Sequence, residues 1–230
     1  MIAIALLTCD RPPERKQYAR RCLASLRNLR ADEPLWLHIA DDGSDPAWRE
    51  ELMEKAGEIC GERVSLTDAG GSGYGGSYNL ATQALHQTAD LILPLEDDWE
   101  LVRELDLDPI AGVLRDGLFG CVRMGYIGFT QELRAKFLSG RGLLWLALDP
   151  ASDEPHVFAG GPRLETAEYE RAVGPWLEHE PAGVTEFEVA HRPAARIGVA
   201  WPVDLIHPSG GTFAHIGSEQ AVLAEQAVTA

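Results

Sequence analysis

Four short apolar runs, each long enough for one buried strand, dominate the first half of the chain. They occupy residues 2–7, 35–40, 63–68 and 90–95. A helix is predicted after the first run, because Pro12 and Pro13 suit a helix start and apolar side chains then recur at helical spacing. That stripe consists of Tyr18, Cys22, Leu26 and Leu29. Asp45 followed by Pro46 predicts the start of a second helix, and a third is expected near 77–88.

This alternation of strands and helices predicts the fold class. Strands joined by helical crossovers form a mostly parallel central sheet with helices on both faces, so we expect a single Rossmann-like α/β domain. Past Pro109 the alternation loosens. The elements expected there are apolar runs at 118–129 and 143–148, a Gly-Gly-Pro turn at 160–162, a short helix near 165–173 and a strand near 196–203.

Charge and cysteine usage narrow the classes of function. The 230 residues include 20 basic and 36 acidic side chains, a formal charge of −16, which repels nucleic acids and anionic membranes. Four cysteines without a C-x-x-C pair indicate buried thiols in a reducing cytoplasm: Cys9, Cys22, Cys60 and Cys121. The opening run lacks a basic n-region, and no segment has the length of a membrane span, so we expect a soluble, cytoplasmic protein. Residues 11–30 hold seven of the basic side chains, and this helix is either solvated or holds an anionic ligand with its first turn.

The run Glu96, Asp97, Asp98 follows the fourth apolar strand directly. Adjacent carboxylates repel one another, so a fold places them either on a solvated loop or where a cation neutralises them. Ligands of open α/β sheets gather at the carboxyl ends of such strands, and the position of this run therefore favours a site.

A rival interpretation starts from Gly71-x-Gly73-x-x-Gly76, which matches the dinucleotide fingerprint, with Glu96 at 20 residues beyond it. In an NAD(P)-dependent oxidoreductase these glycines approach a pyrophosphate and Glu96 holds a ribose hydroxyl. That interpretation gives no function to Asp97 and Asp98, whose charges oppose a pyrophosphate. A divalent cation removes the objection, since it binds carboxylate and phosphate oxygens together.

The order of these features resembles the family 2 glycosyltransferases of the GT-A fold. The resemblance rests on Thr8 with "DRP", on "DDGS" at 41–44, on the glycine-rich loop that closes on Asn79, and on "EDD" at 96–98. It implies a donor site for a nucleoside-diphosphate sugar and a divalent metal, Mn²⁺ or Mg²⁺, bound at the acidic DxD-like motif. The residues that it assigns to the nucleotide sugar are Thr8, Arg11, Asp41, Asp42, Gly76, Asn79, Glu96 and Asp97. Asp98 falls at the metal, and Glu96 departs from the aspartate that is usual there.

The resemblance continues into the second half of the chain. Residues 158–176 are similar to the acceptor-side segment of that family, and 185–192 align with the stretch that carries its catalytic base, which places Glu186 in that role. Glu178 and Glu188 are the competitors. The resemblance thus divides one domain into a nucleotide-sugar-binding half, 1–108, and an acceptor-binding half with a C-terminal lid, 109–230.

A late histidine completes the expected site. His215 lies in "GGTFAHIG", where flanking glycines let a segment from about Pro208 onward fold over the site and bring an imidazole to the metal. His207 is its competitor. We expect a metal-dependent, inverting transfer from a donor, UDP-linked, to a hydroxyl acceptor, with a modified nucleobase acceptor left open despite the charge. The alternatives are the oxidoreductase and a catalytically silent nucleotide-sugar or metal-binding module.

Overall fold

A computed structural model of the chain describes residues 1–124, 133–152, 160–203 and 211–217. The strands in these ranges are β1 (Ile2–Thr8), β2 (Leu29–Arg30), β3 (Trp36–Asp41), β4 (Val64–Asp68), β5 (Leu91–Glu96), β6 (Trp99–Leu101), β7 (Leu105–Asp106), β8 (Cys121–Arg123), β9 (Ala135–Gly140), β10 (Leu143–Leu148), β11 (Arg163–Thr166), β12 (Val199–Pro202) and β13 (Phe213–His215). The α-helices are α1 (Arg15–Ser25), α2 (Pro46–Cys60), α3 (Gly73–Leu85), α4 (Asp108–Arg115), α5 (Ala167–Val173) and α6 (Ala182–Ala190). Short 3₁₀ turns cover Leu26–Asn28 and Pro193–Arg196.

One nine-stranded sheet, in the order β4-β3-β1-β5-β11-β8-β12-β10-β9, organises the molecule. The first four strands in this order pair in parallel, as the strand–helix alternation predicts. Beyond β5 the pattern changes, because β11 runs antiparallel to both β5 and β8, and β10 runs antiparallel to both β12 and β9. The predicted α/β class and the single domain are confirmed.

Hydrophobic packing on the two faces of the sheet holds the helices in place. Alternate residues of β1 point to opposite faces. Ile2, Ile4 and Leu6 pack with α1, α2 and α4, whereas Ala3, Ala5 and Leu7 pack with α3, α5 and α6. A fully buried leucine such as Leu6 contributes about 2–3 kcal/mol by leaving water. Small residues on the second face let α3 approach the strands closely.

The second predicted helix starts where its local signals place it, whereas the third starts earlier than expected. Asp45 caps α2 by accepting a 2.8 Å hydrogen bond from the Ala47 N–H, with Pro46 in the first turn, as predicted. The expected helix near 77–88 instead begins at Gly73, inside the glycine-rich stretch. The reason is a tertiary contact, because a Cβ on Gly75 would lie only 2.0 Å from the Leu177 carbonyl oxygen. Glycine is required there for close packing, and the helix extends through it.

The second half follows the predicted order with shifted bounds. Of the run expected at 118–129, β8 forms a part and residues 125–132 lie outside the described ranges. The run at 143–148 is β10, the expected helix is α5, and the last predicted strand is β12. None of the helices in the described ranges is both long and apolar enough to cross a membrane.

Candidate nucleotide-sugar site

Three parallel strands end at the same edge of the sheet, and several of the predicted binding residues lie at their ends. The registers place Thr8 beside Asp41 and Leu7 beside Glu96. A pocket of about 170 Å³ opens at this edge. Its lining consists of Leu7, Thr8, Cys9, Arg15, Asp42, Tyr74, Ser77, Glu96 and Ala182. Three residues predicted from the sequence, Thr8, Asp42 and Glu96, therefore face one cavity.

Asp97 is fully buried and is held by side chains from β1 and α1. Thr8 Oγ1 donates to Asp97 Oδ2 at 2.8 Å, and Arg15 donates to Asp97 Oδ1. Burial raises the pKa of Asp97 to about 6, against the opposing effects of the Arg15 charge and the Thr8 hydrogen bond. Arg15 Nη1 also lies 3.7 Å from Asp98 Oδ2. Arg15, in the first turn of α1, thus directs its positive charge toward Asp97, Asp98 and the pocket.

The C-terminal segment lies against the acidic turn. β13 pairs with β6 so that His215 is opposite Trp99, and the Ile216 N–H donates to the Asp98 carbonyl at 2.8 Å. This pairing brings His215 Nε2 to 3.5 Å from Asp98 Oδ2. The hydrogen bond to Asp98 raises the pKa of His215, and burial only partly offsets it. Burial would raise the pKa of Asp98, but His215 and the charge of Arg15 together lower it.

Asp98 and His215 fit a divalent cation as part of its ligand shell. Within the described ranges, no three His, Cys, Asp or Glu side chains cluster tightly enough to hold a metal by themselves. Asp98 Oδ1 is buried, however, and no described residue offers it a hydrogen bond. A carboxylate oxygen with an imidazole nitrogen beside it suits manganese, and phosphate oxygens of a ligand would complete the shell. The competing His207 and the start of the expected lid, at Pro208, lie outside the described residues.

The "DDGS" loop places its two aspartates differently. Asp41 is fully buried: its Oδ2 accepts from the Ser44 N–H at 2.9 Å and forms an ion pair with Arg49 Nε at 3.2 Å, while its Oδ1 accepts from the Ser44 hydroxyl. Asp41 therefore fixes the loop from inside. Asp42 lines the pocket and accepts from the Gly73 N–H at 3.1 Å, which ties the loop to the start of α3. Arg11 is 69% exposed and reaches the Asp42 carbonyl oxygen at 3.3 Å.

The glycine-rich stretch contributes to the pocket, but not through the two residues that the sequence predicted, Gly76 and Asn79. Gly76 lies within α3, where a Cβ would be 2.3 Å from Ser72 Oγ. Asn79 faces away from the pocket: its amide nitrogen donates to the Trp176 carbonyl at 3.0 Å, and its oxygen accepts from the Trp176 N–H at 2.8 Å. Tyr74 and Ser77, one helical turn apart on α3, line the pocket instead. Their spacing from each other was the available signal, since residues three apart share a helix face.

Glu96 and Glu186 meet at the Gly160–Gly161 turn. The Gly160 N–H donates to Glu186 Oε1 at 2.5 Å, and the Gly161 N–H donates to Glu96 Oε1 at 3.1 Å. A Cβ on Gly160 would lie 2.2 Å from the first oxygen and 2.3 Å from the second, so only glycine fits. The longer side chain at position 96 lets its carboxyl reach this turn and, at 3.4 Å, the Tyr74 hydroxyl. The departure from aspartate thus links the pocket to Glu186.

Both carboxyls have raised pKa values. Burial, followed by the charges of Asp98 and Glu186, raises the pKa of Glu96 to about 8. Burial also raises the pKa of Glu186, while the Gly160 hydrogen bond and the charges of Arg163 and Arg123 oppose it. A carboxylate kept basic in this way suits proton transfer near neutral pH.

The competing carboxylates are engaged elsewhere. Glu188, on α6, pairs with Arg192, which follows the end of that helix. Glu178 Oε1 accepts from the Asn79 amide at 3.1 Å. Glu186 is therefore the carboxylate of these three that the fold brings to Glu96.

Two buried arginines behind the turn were missed by sequence reasoning. Arg123 Nη2 donates to the Gly160 carbonyl oxygen at 3.0 Å, and Arg163 Nη1 donates to that of Gly161 at 3.4 Å. Arg163 also pairs with Glu165 at 3.0 Å and donates to the Tyr78 hydroxyl at 2.9 Å. For Arg123 the available signal was a charged residue inside an apolar run, "CVRM", because arginine is rarely buried without a specific partner.

The parallel half-sheet, the pocket at its strand ends and the acidic turn after β5 fit one architecture: the chain has the GT-A fold. No family model and no curated protein sequence matches the chain.

Solved structures do match it, at low sequence identity. Residues 1–349 of TarS from S. aureus align with a TM-score of 0.62 and 14% identity over 89% of this chain. GalNAc-T7, solved with UDP, GalNAc and Mn²⁺, aligns with a TM-score of 0.60 and 11% identity over 88%. The mannosyltransferase PcManGT from Pyrobaculum calidifontis, solved with GDP-Man and Mn²⁺, gives 0.54 and 15% over 89%. The chain spans 58%, 42% and 55% of these three proteins, respectively.

Proposed function

We propose that the protein is an inverting, metal-dependent glycosyltransferase that moves a sugar from a nucleoside-diphosphate donor, UDP-linked, to a hydroxyl acceptor. One observation carries the proposal. Glu96 lines the strand-end pocket and shares the Gly160–Gly161 turn with Glu186, so a half-buried carboxylate of raised pKa lies beside the place where a donor would bind.

The side chains at the strand ends have the chemistry to hold the donor. Thr8, Asp42 and Tyr74 line the pocket with hydroxyl and carboxylate groups for a ribose and base, and Arg15 supplies a cation toward the diphosphate. Asp97 orients both Thr8 and Arg15. We assign Arg11, Asp41, Gly76 and Asn79 to support of this site, because their contacts fix the loop and α3.

Glu186 is the proposed base. The acceptor hydroxyl attacks the anomeric carbon and gives its proton to Glu186, the new C–O bond forms on one face, and the bond to the diphosphate oxygen breaks on the other. Inversion follows from this single displacement. The N–H of Gly160 holds Glu186 in one orientation while its second oxygen remains for the hydroxyl.

Asp98 and His215 would hold the divalent cation, Mn²⁺ or Mg²⁺, which when bound supplies positive charge to the departing diphosphate. The neighbours GalNAc-T7 and PcManGT, each solved with Mn²⁺, support this assignment. Residues 1–108 then act as the donor half and 109–230 as the acceptor half. The free thiols, three of them buried, support a reducing cytoplasmic location, and the charge of −16 argues against a nucleic-acid partner.

The two alternatives predict different ligands. In the oxidoreductase interpretation Glu96 holds a ribose hydroxyl, whereas its carboxyl accepts from Tyr74 and Gly161, and Gly76 packs on Ser72. A silent binding module would have the pocket without turnover. The oxidoreductase is therefore less favoured than our proposal. The silent module would bind the same ligands and differs from our proposal only in having no turnover.

A screen of sugar nucleotides with and without manganese tests the proposal. We expect metal-dependent donor hydrolysis with at least one UDP-sugar, and thermal stabilisation by UDP plus Mn²⁺ but not by NAD. Stabilisation without hydrolysis or transfer for any donor would favour the silent module. Stabilisation by NAD alone would favour the oxidoreductase.

A further inference from the structure

In the Gly160–Gly161 turn, the carbonyl oxygens accept hydrogen bonds from arginines and the N–H groups donate hydrogen bonds to carboxylates. The peptide that joins these two glycines has its oxygen on Arg123 Nη2, at 3.0 Å, and its N–H on Glu96 Oε1, at 3.1 Å. Hydrogen bonds at the two ends of one peptide polarise it and strengthen each other. The preceding N–H of the same turn donates to Glu186 at 2.5 Å. The peptide between the two glycines therefore links the buried Arg123 to Glu96, and the N–H of Gly160, which belongs to the peptide before it, holds Glu186 on the same turn.

Resting on the proposed function, we propose that Arg123 is a positioning residue for the base: it fixes the Gly160–Gly161 turn against which Glu186 and Glu96 lie, and so sets where Glu186 meets the acceptor hydroxyl. Arg123 is 4% exposed and is anchored in β8, between β11 and β12 of the main sheet. Its guanidinium is therefore a rigid support. The turn has no side chain of its own to hold it against the carboxylates.

The charge of Arg123 also acts on Glu186, in addition to the contact of Arg123 with the turn. The groups that face Glu186 are Glu96 and Asp98 from the end of β5, Arg123 from β8, Arg163 from β11 and Tyr74 from α3. The two arginines favour the ionised form of Glu186, and Asp98 disfavours it. Arg163 has the larger of these two effects, and Arg123 adds to it from its place on the turn.

The test compares Arg123→Met and Arg123→Lys with the control Arg192→Met. Arg192 is a partly buried arginine that pairs with Glu188 on α6 and does not contact the turn through any hydrogen bond of the described residues. The first measurement is the titration of Glu186, followed by carbon NMR on glutamate-labelled protein without substrates and assigned with Glu186→Gln. We expect Arg123→Met to raise the pKa of Glu186 by about one unit, Arg123→Lys to raise it less, and Arg192→Met to leave it unchanged.

The second measurement is transferase kinetics. We expect Arg123→Met to lower kcat about 10- to 100-fold with a nearly unchanged donor KM, and to move the acidic limb of the pH profile upward. An unchanged Glu186 titration together with kcat equal to that of Arg192→Met would overturn the proposal. If the wild type transfers no sugar at all, the proposed function fails, and the NMR titration alone decides the role of Arg123.

A second variant covers the case in which Arg123→Met does not fold. Gly160→Ala keeps Arg123 but adds a Cβ that would lie 2.2 Å from Glu186 Oε1. We expect kcat to fall at least tenfold, and calorimetry with UDP and Mn²⁺ measures separately any change in donor binding, because the same Cβ would lie 2.3 Å from Glu96 Oε1. Wild-type kcat in this variant would show that the turn does not position the base.

Discussion

Replacing Glu96 with glutamine should make the protein more stable at alkaline pH and leave its stability nearly unchanged in acid. Glutamine keeps the oxygen that accepts from the Gly161 N–H and the Tyr74 hydroxyl, so it mimics the protonated acid. In the wild type, burial next to Asp98 and Glu186 raises the pKa of Glu96 from 4.5 to about 8. The folded state therefore binds a proton that the unfolded state has released.

The sign and size follow from linkage. A carboxyl whose folded pKa is raised gives its full stabilisation below the unfolded value, here 4.5, and loses it as the pH rises to about 8. A difference of that size corresponds to roughly 5 kcal/mol at 1.4 kcal/mol per unit. Glu96 also lines an open pocket, where water screens the charge, so we expect about 2–3 kcal/mol.

The assay is urea denaturation of the wild type and Glu96→Gln at pH values from 4 to 9. At each pH the quantity compared is the free energy of unfolding of the variant minus that of the wild type. This difference should be close to zero at the acidic end, grow through the neutral range and level off near the alkaline end. Glu62→Gln, at an exposed position, corrects for removing one negative charge from a chain of net charge −16. A difference that does not change with pH would refute the reasoning, since Glu96 would then titrate alike in both states.

Three further predictions concern the proposed chemistry. Asp98→Asn should leave the fold intact but abolish metal-dependent UDP binding, because an amide is a poor replacement for an anionic ligand; calorimetry showing wild-type affinity for UDP and Mn²⁺ would disprove the assignment. Glu186→Gln should lower turnover by about 10²- to 10⁴-fold with donor affinity little changed, and near-wild-type turnover would move the base to another carboxylate. His215→Ala should weaken the manganese dependence of turnover, whereas His207→Ala should not; the reverse pattern would assign the metal ligand to His207.

The sequence was sufficient for what depends on strand order and local capping. The apolar runs located the parallel strands, and the polar residues that follow them mark the strand-end pocket, because parallel strands deliver their carboxyl ends to one edge. Thr8 and Glu96 reach the pocket for this reason. The Asp45 cap needs only its own neighbours and was equally readable.

What escaped prediction depends on contacts between distant segments. That Asn79 binds the backbone at Trp176 follows from the way α3 packs against a segment 97 residues away, and motif order does not predict it. The meeting of Glu96 with Glu186 requires β11 to pair antiparallel with β5, which places the Gly160–Gly161 turn at the pocket. No period or motif in the sequence specifies that pairing.

The pairing of β13 with β6 provides two backbone amides whose hydrogen exchange should report whether a ligand is bound. This two-stranded ribbon pairs only three residues of each strand and lies outside the nine-stranded sheet, so it should open locally at a lower free energy than global unfolding requires. The Ile216 amide, bonded to the Asp98 carbonyl at 2.8 Å, and the Val102 amide, bonded to the Thr212 carbonyl at 2.9 Å, exchange with deuterium only when it opens. A ligand that binds only the docked ribbon adds about 2.7 kcal/mol at a hundredfold excess over Kd. Exchange at these two amides should then slow about 100-fold, while amides of the central strands keep their rates.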